Sequence, residues 1–172
     1  MSQISEFYNG SGTDHKGRSW AEIVSQTDEW FESTHDFIQW LFPLQEKSKF
    51  NKEAPLLTDS DIFEFQKNKL LKIRIRTTLL VMLTFYGLYI DFSQNKVSKE
   101  EWFVESKKIW ISPNNHNYMR VTRILKSLCL LGQRALAEAF LEFLIELKKE
   151  FDTDISASNL KYWMEAVEQN GN

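Results

Sequence analysis

The chain has 172 residues and a formal net charge of −3, with 42% hydrophobic and 26% charged residues. This length allows one domain with a substantial core, and the composition is that of a soluble globular protein and excludes a disordered chain. A single cysteine, Cys129, excludes an intrachain disulfide and a cysteine-rich metal site.

The first quarter of the chain predicts a loop followed by two helices. Residues 1–18 are polar and contain three glycines, which predicts a loop without a signal-peptide pattern. Ser19 and Glu22 have the spacing of a capping box and predict a helix start. A second helix is predicted from about Thr27 to Trp40, and Pro43 prevents its continuation.

The middle of the chain predicts a long apolar helix. Thr58 followed by Asp61 predicts its start, and Gly87 predicts its end after Tyr86. Because residues 79–85 are apolar on nearly every side of the helix, we expect other helices to surround it. The apolar run is too short to span a bilayer, so we expect a cytoplasmic protein.

Four further helices are predicted in the second half. They are a short helix opened by Ser98 and Glu101, a helix from about His116 to Leu131, one over roughly 134–150, and one capped by Ser156. No apolar–polar alternation is long enough to indicate a sheet. The sequence therefore predicts one all-α domain over residues 1–172, a compact bundle of six or seven helices around the central apolar helix. Its core is expected over about 7–168, with tails at 1–6 and 169–172.

The basic residues are distributed unevenly. Residues 65–90 carry five bases and no acid, and residues 106–137 carry six bases and no acid, although acids exceed bases in the whole chain. One interpretation is that these segments fold against acidic parts of the chain and are neutralised. The other is that they meet and form a basic surface for an anionic partner.

Two strings in the chain resemble a known family. They are residues 34–44, THDFIQWLFPL, and residues 116–128, HNYMRVTRILKSL. Both are similar to the hallmark strings of the opioid growth factor receptor conserved region, and shorter matches extend the resemblance over about residues 7–168. The resemblance implies a helical fold and a family named for binding an enkephalin peptide; it brings no catalytic or ligand residues. Because this chain has only that domain, a stand-alone bacterial member is expected.

The candidate binding residues are mainly basic. Arg120, Arg123 and Lys126 are spaced by three, and we expect them to face away from the apolar stripe of their helix. Lys69, Lys72 and Arg76 form a second basic stripe on the earlier helix. The full set of candidates is Arg18, His35, Gln39, Lys69, Lys72, Arg76, His116, Asn117, Arg120, Arg123 and Lys126.

Each candidate also has a purely structural interpretation. The basic helix would neutralise a ladder of carboxylates on the next helix, formed by Glu138, Glu142, Glu146 and Glu150. His35 and Gln39 would satisfy buried backbone groups. Arg18 would clasp Asp14 and hold down the glycine-rich loop.

The function expected from the sequence is non-catalytic binding. A basic helical face would recognise an acidic peptide or protein, since arginine grips carboxylates and phosphates in pairs of hydrogen bonds. The alternative is a nucleic-acid-binding protein that contacts the phosphate backbone. The three histidines are too scattered for a metal site and no nucleophile motif is present, so we expect no metal, no cofactor and no enzymatic activity.

Overall fold

The computed structural model describes residues 2–170, which contain ten helices and one two-stranded sheet. The chain divides into two compact units, Met1–Val81 and Met82–Asn172, and the boundary lies inside the sixth helix. The helices are α1 Gln3–Asn9, α2 Trp20–Val24, α3 Asp28–Ser33, α4 Ile38–Leu41, α5 Asp59–Lys67, α6 Lys69–Phe85, α7 Phe103–Trp110, α8 Asn117–Leu130, α9 Arg134–Glu150 and α10 Ala157–Glu168. The strands are β1 Leu88–Asp91 and β2 Lys96–Lys99.

The first unit begins with a helix where the sequence predicted a loop. Ser2 caps α1 at its start, and Gly10 ends it with a φ of 88°, in the left-handed region that favours glycine. The prediction of a loop over residues 1–18 is therefore wrong for α1, which packs against α5. The buried hydroxyl of Tyr8 donates a hydrogen bond to the carbonyl of Leu41, which joins α1 to α4.

Two long helices predicted in this part of the chain are each interrupted. The prediction from Thr27 to Trp40 is wrong between α3 and α4, because Thr34 has extended backbone and Phe37 turns inward to pack on Phe31, with ring centroids 5.3 Å apart. The predicted helix from Thr58 to Tyr86 is likewise divided at Asn68 into α5 and α6. The capping box at Ser19 is confirmed.

The second unit contains a hairpin that the sequence did not predict. Strands β1 and β2 pair in antiparallel fashion, with Leu88 opposite Lys99. Gly87 precedes the hairpin with a φ of 73°, and a Cβ at this position would lie 2.9 Å from the Cα of Phe103. Ser98 belongs to β2, so the helix start predicted there is wrong. The fold is therefore mainly helical and not purely all-α.

The last three helices confirm their predictions closely. Helices α8, α9 and α10 pack against one another, and β2 packs against α9. The Tyr118 and Trp163 rings meet edge to face at 5.7 Å, and the indole N–H of Trp163 donates to the Tyr118 carbonyl at 3.1 Å. Burial raises the pKa of Tyr118 to about 12, so its hydroxyl keeps its proton at physiological pH.

The number of helices differs from the prediction. Residues 2–170 contain ten helices instead of the predicted six or seven, because short helices form around local breaks. The central position of the apolar helix and the single-domain organisation stay predictions. Met1 and residues 171–172, which were assigned to the tails, lie outside the described residues.

Candidate functional site

The exposed side of α6 begins directly after a bend. Thr58 and Asp61 form a capping box at the start of α5, and Asn68 ends α5 with extended backbone. The side-chain oxygen of Asn68 then accepts a hydrogen bond from the Leu70 N–H at 2.9 Å, which caps the start of α6. The side chains that follow are therefore presented by a regular helix.

Three large apolar side chains in this segment are exposed. Phe63 on α5 is 63% exposed, and Leu70 and Ile73 on α6 are 44% and 52% exposed. Leu70 and Ile73 are three residues apart, so they are neighbours on the helix surface. The opposite side of α6 is buried through Leu71 and Ile75. An apolar group of this kind on a helix rimmed by polar residues is typical of an interaction site.

Three lysines accompany these apolar side chains. The ammonium group of Lys67 lies 5.5 Å from the ring centroid of Phe63, and Lys69 is exposed while Lys72 is half-buried. None of the three forms an ion pair with another residue of the described range 2–170. We call Phe63, Lys67, Lys69, Leu70, Lys72 and Ile73 the α5–α6 surface.

Sequence reasoning found the cations of this surface but not its apolar members. The sequence predicted that other helices surround the second half of this helix, and it did not predict that Leu70 and Ile73 in the first half are exposed. A signal was present, because Lys69 and Ile73 are four residues apart and so share one side of the helix. Arg76, also predicted as a binding residue, is exposed one turn further along α6.

The predicted cationic face on α8 is only partly exposed. His116 is exposed at the start of the helix, and Arg123 and Lys126 are half-buried. Asn117 and Arg120 lie in the interior, with Arg120 only 5% exposed. The prediction of an outward-facing guanidinium is therefore wrong for Arg120.

The position of Arg120 follows from the helical repeat. Arg120 precedes Ile124 by four residues, so it shares the buried side of α8 with that core side chain. Its guanidinium donates to the side-chain oxygen of Asn117 at 3.1 Å. The same oxygen lies 3.5 Å from the Tyr86 hydroxyl. Arg120 is thus part of a buried polar network within the second unit.

Carboxylates on α9 are neutralised locally. Glu138 pairs with Arg134 at 2.8 Å, and Glu146 pairs with Lys149 at 2.6 Å. Glu150 pairs with Lys99 of β2. The partners lie on α9 itself and on the hairpin, so the interpretation that the basic helix α8 neutralises this ladder is wrong for these three glutamates. The hypothesis that the two basic segments of the sequence meet in one surface stays a prediction.

The loop before α2 is held by the predicted clasp. A guanidinium nitrogen of Arg18 lies 2.6 Å from a carboxylate oxygen of Asp14, whose side chain is fully buried. Arg18 also contacts Asp36 at 2.8 Å. Burial opposes the charge of Arg18, but hydrogen bonds to both carboxylates raise its pKa. The structural interpretation of Arg18 is therefore confirmed.

The two candidates from the first string take different positions. His35 is exposed, whereas Gln39 is buried and its amide nitrogen lies 3.5 Å from the carbonyl of His35. The side-chain oxygen of Gln39 lies 3.5 Å from the amide nitrogen of Asn51. Gln39 is therefore a buried side chain that contacts the His35 carbonyl and the Asn51 side chain. This agrees with its structural interpretation.

Two features of the described residues concern metal binding and the reactivity of the cysteine. No three His, Cys, Asp or Glu side chains within residues 2–170 are grouped so that they could hold a metal ion. Burial raises the pKa of the Cys129 thiol to about 11, which keeps it protonated and weakly nucleophilic. One open cavity of about 330 Å³ lies beside the clasp, lined by Gln3, Glu6, Gly12, Thr13, Asp14, His15, Trp40 and Glu53.

These features define a mainly helical domain with an exposed apolar and cationic surface. A family model for the opioid growth factor receptor (OGFr) conserved region matches residues 8–172. The chain belongs to this family. No solved structure matches the chain, and no helix described in residues 2–170 is long and apolar enough to cross a membrane.

Curated relatives support the same family. Opioid growth factor receptor-like protein 1 of Mus musculus is 34% identical over 139 residues, which cover 79% of this chain and 29% of the mouse protein. The opioid growth factor receptor of Rattus norvegicus is 32% identical over 139 residues, covering 79% of this chain and 24% of that protein. The human receptor is 31% identical over 140 residues, or 20% of its length. The chain therefore matches less than a third of each relative, and a bacterial, stand-alone form stays a prediction.

Proposed function

We propose that this chain is a non-catalytic binding domain that recognises an acidic peptide or protein through the α5–α6 surface. The observation that carries the proposal is the combination, on α6, of exposed Leu70 and Ile73 with Lys69 and Lys72, which have no ion-pair partner in residues 2–170. Two relatives carry names of receptors for a growth factor, which supports a peptide or protein as the partner. We also propose that the chain binds its partner in the cytoplasm.

The chemistry of the surface supports an acidic peptide or protein as the partner. Lysine ammonium groups favour carboxylates, and the exposed aliphatic side chains gain about 25 cal/mol for each Å² of apolar surface that a partner covers. A partner segment with Leu, Ile or Phe beside Asp or Glu satisfies both requirements. A phosphate backbone satisfies only the cations, because Leu70 and Ile73 would remain exposed next to it. The apolar content therefore favours a protein partner over nucleic acid, the alternative function.

Selection from a random 15-residue peptide library displayed on phage tests this proposal. We expect the selected peptides to be enriched in Asp and Glu beside large apolar residues. Their affinity, measured by fluorescence anisotropy, should fall at least tenfold for Leu70→Ser/Ile73→Ser and for Lys69→Glu/Lys72→Glu. Tyr162→Ser is the matched control, because Tyr162 is 57% exposed on α10 of the second unit.

Two results would contradict the proposal. One is a set of selected peptides without acidic residues, and the other is unchanged affinity for α5–α6 variants whose circular dichroism shows a folded chain. A labelled 20-nucleotide single strand is tested in parallel. Binding of this strand that weakens steeply with salt and depends on Lys69 and Lys72, but not on Leu70 and Ile73, would favour the nucleic-acid alternative.

A further inference from the structure

Residues 44–57 form a loop whose two ends are joined to each other. Leu44 and Leu56 form a parallel bridge at its base, and the Leu57 N–H donates to the Leu44 carbonyl at 3.0 Å. Leu44 and Leu57 are both buried. The loop is therefore fastened to the core at both ends, as in compact loops that carry function.

The middle of this loop is also held in place. The amide nitrogen of Asn51 donates to the carbonyl of Asp36 at 3.3 Å, and the Ser48 hydroxyl oxygen accepts from the Asn51 N–H at 3.1 Å. Between these two residues, Phe50 is 77% exposed. No other large apolar side chain described in residues 2–170 is as exposed. A ring held outward by an anchored loop costs less entropy to bury than one on a free chain.

The three lysines of the loop lie between its two glutamates in the sequence. Lys47, Lys49 and Lys52 are exposed around Phe50, and none of them forms an ion pair with a described residue. The acids Glu46 and Glu53 directly flank this run of lysines in the sequence. Residues 47–52, which we call the tip of the loop, therefore carry an exposed aromatic ring, three lysines and no acid.

From this arrangement we propose that the tip of the 44–57 loop docks on a bilayer surface that contains anionic phospholipids. The Phe50 ring enters the boundary between headgroups and acyl chains, and the three lysines lie among anionic headgroups. This contact uses none of the residues of the α5–α6 surface and does not depend on the proposed function.

Two features favour a membrane over other anionic partners. The tip offers anionic headgroups three lysines and no acid, and the bilayer interface gives the Phe50 ring an apolar environment that a phosphate backbone does not provide. A protein would need a cavity shaped for a protruding ring, while the bilayer interface accepts such a ring without a preformed pocket. The tip has the two signals, apolar insertion and basic charge, that reversible membrane association requires.

Sedimentation with vesicles tests the proposal on the full chain. We expect binding to vesicles of 70% phosphatidylcholine and 30% phosphatidylserine, and little binding to phosphatidylcholine alone. Each lysine contributes roughly fivefold to the partition coefficient, so Lys47→Gln/Lys49→Gln/Lys52→Gln should lower it about 100-fold. Phe50→Ser should lower it at least tenfold.

The matched control is Tyr162→Ser, which removes an exposed aromatic ring that belongs neither to the loop nor to the α5–α6 surface and should leave vesicle binding unchanged. Absence of binding to the phosphatidylserine vesicles overturns the proposal. So does equal loss of binding for Phe50→Ser and Tyr162→Ser. A labelled single-stranded oligonucleotide is tested beside the vesicles; tighter, Phe50-dependent binding to it would assign the tip to nucleic acid and also overturn the membrane proposal.

Discussion

At the scale of single residues, Asp36 is the clearest example of a charge with a structural role. One of its oxygens lies 2.8 Å from a guanidinium nitrogen of Arg18, and the other lies 3.5 Å from Nε2 of His15. Burial alone would raise the pKa of Asp36, but the hydrogen bond and charge of Arg18 lower it below 3.8. The carboxylate therefore links the 14–18 loop to the start of the 34–44 string.

Replacing Asp36 with Asn should destabilise the protein in a pH-dependent way. The folded pKa is lowered, so the stabilisation is fully present above the unfolded value of 3.8 and is lost as pH falls through the folded pKa. We expect Asp36→Asn to lower the free energy of unfolding by about 1–3 kcal/mol at pH 7. In urea unfolding this difference should shrink below about pH 4. A difference that stays constant down to pH 2 would contradict the role of the charge.

Arg120 provides a second test at this scale. Because its side chain is buried, its substitution tests the free energy of unfolding and not partner binding. Arg120→Ala removes the donor that faces the buried oxygen of Asn117 and should lower the free energy of unfolding by about 1–3 kcal/mol. Lys108→Ala, which breaks only the exposed pair with Glu105, should change it by about 0.5 kcal/mol or less. Urea unfolding measures both. Equal and small effects would show that Arg120 does not stabilise the interior.

At the scale of elements, Asn68 determines how α5 and α6 join. Its backbone is extended and its side chain caps α6. We expect Asn68→Ala to cost about 1 kcal/mol and Asn68→Ser to cost less, because serine can still accept the hydrogen bond from the Leu70 N–H. Thermal unfolding compares the two variants. If serine and alanine lower the melting temperature equally, the cap does not stabilise the junction.

The elements that the sequence predicted well are those whose ends carry a local signal. Ser19 and Ser156 cap α2 and α10 as expected, since a cap involves only the residues that follow it. The break at Thr34 has no such signal, because apolar spacing continues across it and tertiary packing of Phe37 decides the outcome. The hairpin was missed because strands of four residues are too short for alternation to be recognised.

The candidate site was predictable in its charges but not in its exposure. Lys69 and Lys72 could be placed on one helix from their spacing alone. Whether a helix face meets solvent depends on what packs against it, so the sequence could not separate exposed Ile73 from buried Ile75, or buried Arg120 from half-buried Arg123. The exposed tip of the 44–57 loop depends in the same way on the bridge between Leu44 and Leu56, which are twelve residues apart.

At the scale of the whole molecule, segregation of charge along the chain coexists with ion pairs inside single helices. Several pairs connect neighbouring turns of one helix, such as Arg134 with Glu138, Lys149 with Glu146 and Lys108 with Glu105. Each lies at the surface and is worth about 0–1 kcal/mol, so these pairs do little to hold the fold together. The buried aromatic and aliphatic side chains carry most of that role.

Weak surface ion pairs and solvent-exposed lysines together predict that salt changes peptide affinity more than it changes the free energy of unfolding. Between 0.05 and 0.5 M NaCl, we expect the free energy of unfolding to change by about 1 kcal/mol or less, because the exposed pairs are weak and the part-buried Asp14–Arg18 clasp is poorly screened. Over the same range, affinity for an acidic peptide at the α5–α6 surface should fall several-fold, since the charges of Lys67 and Lys69 are open to the solvent. Urea unfolding and fluorescence anisotropy in matched buffers measure the two quantities. A loss of several kcal/mol of stability with unchanged peptide affinity would reverse this assignment, making the ion pairs structural and the lysines irrelevant to recognition.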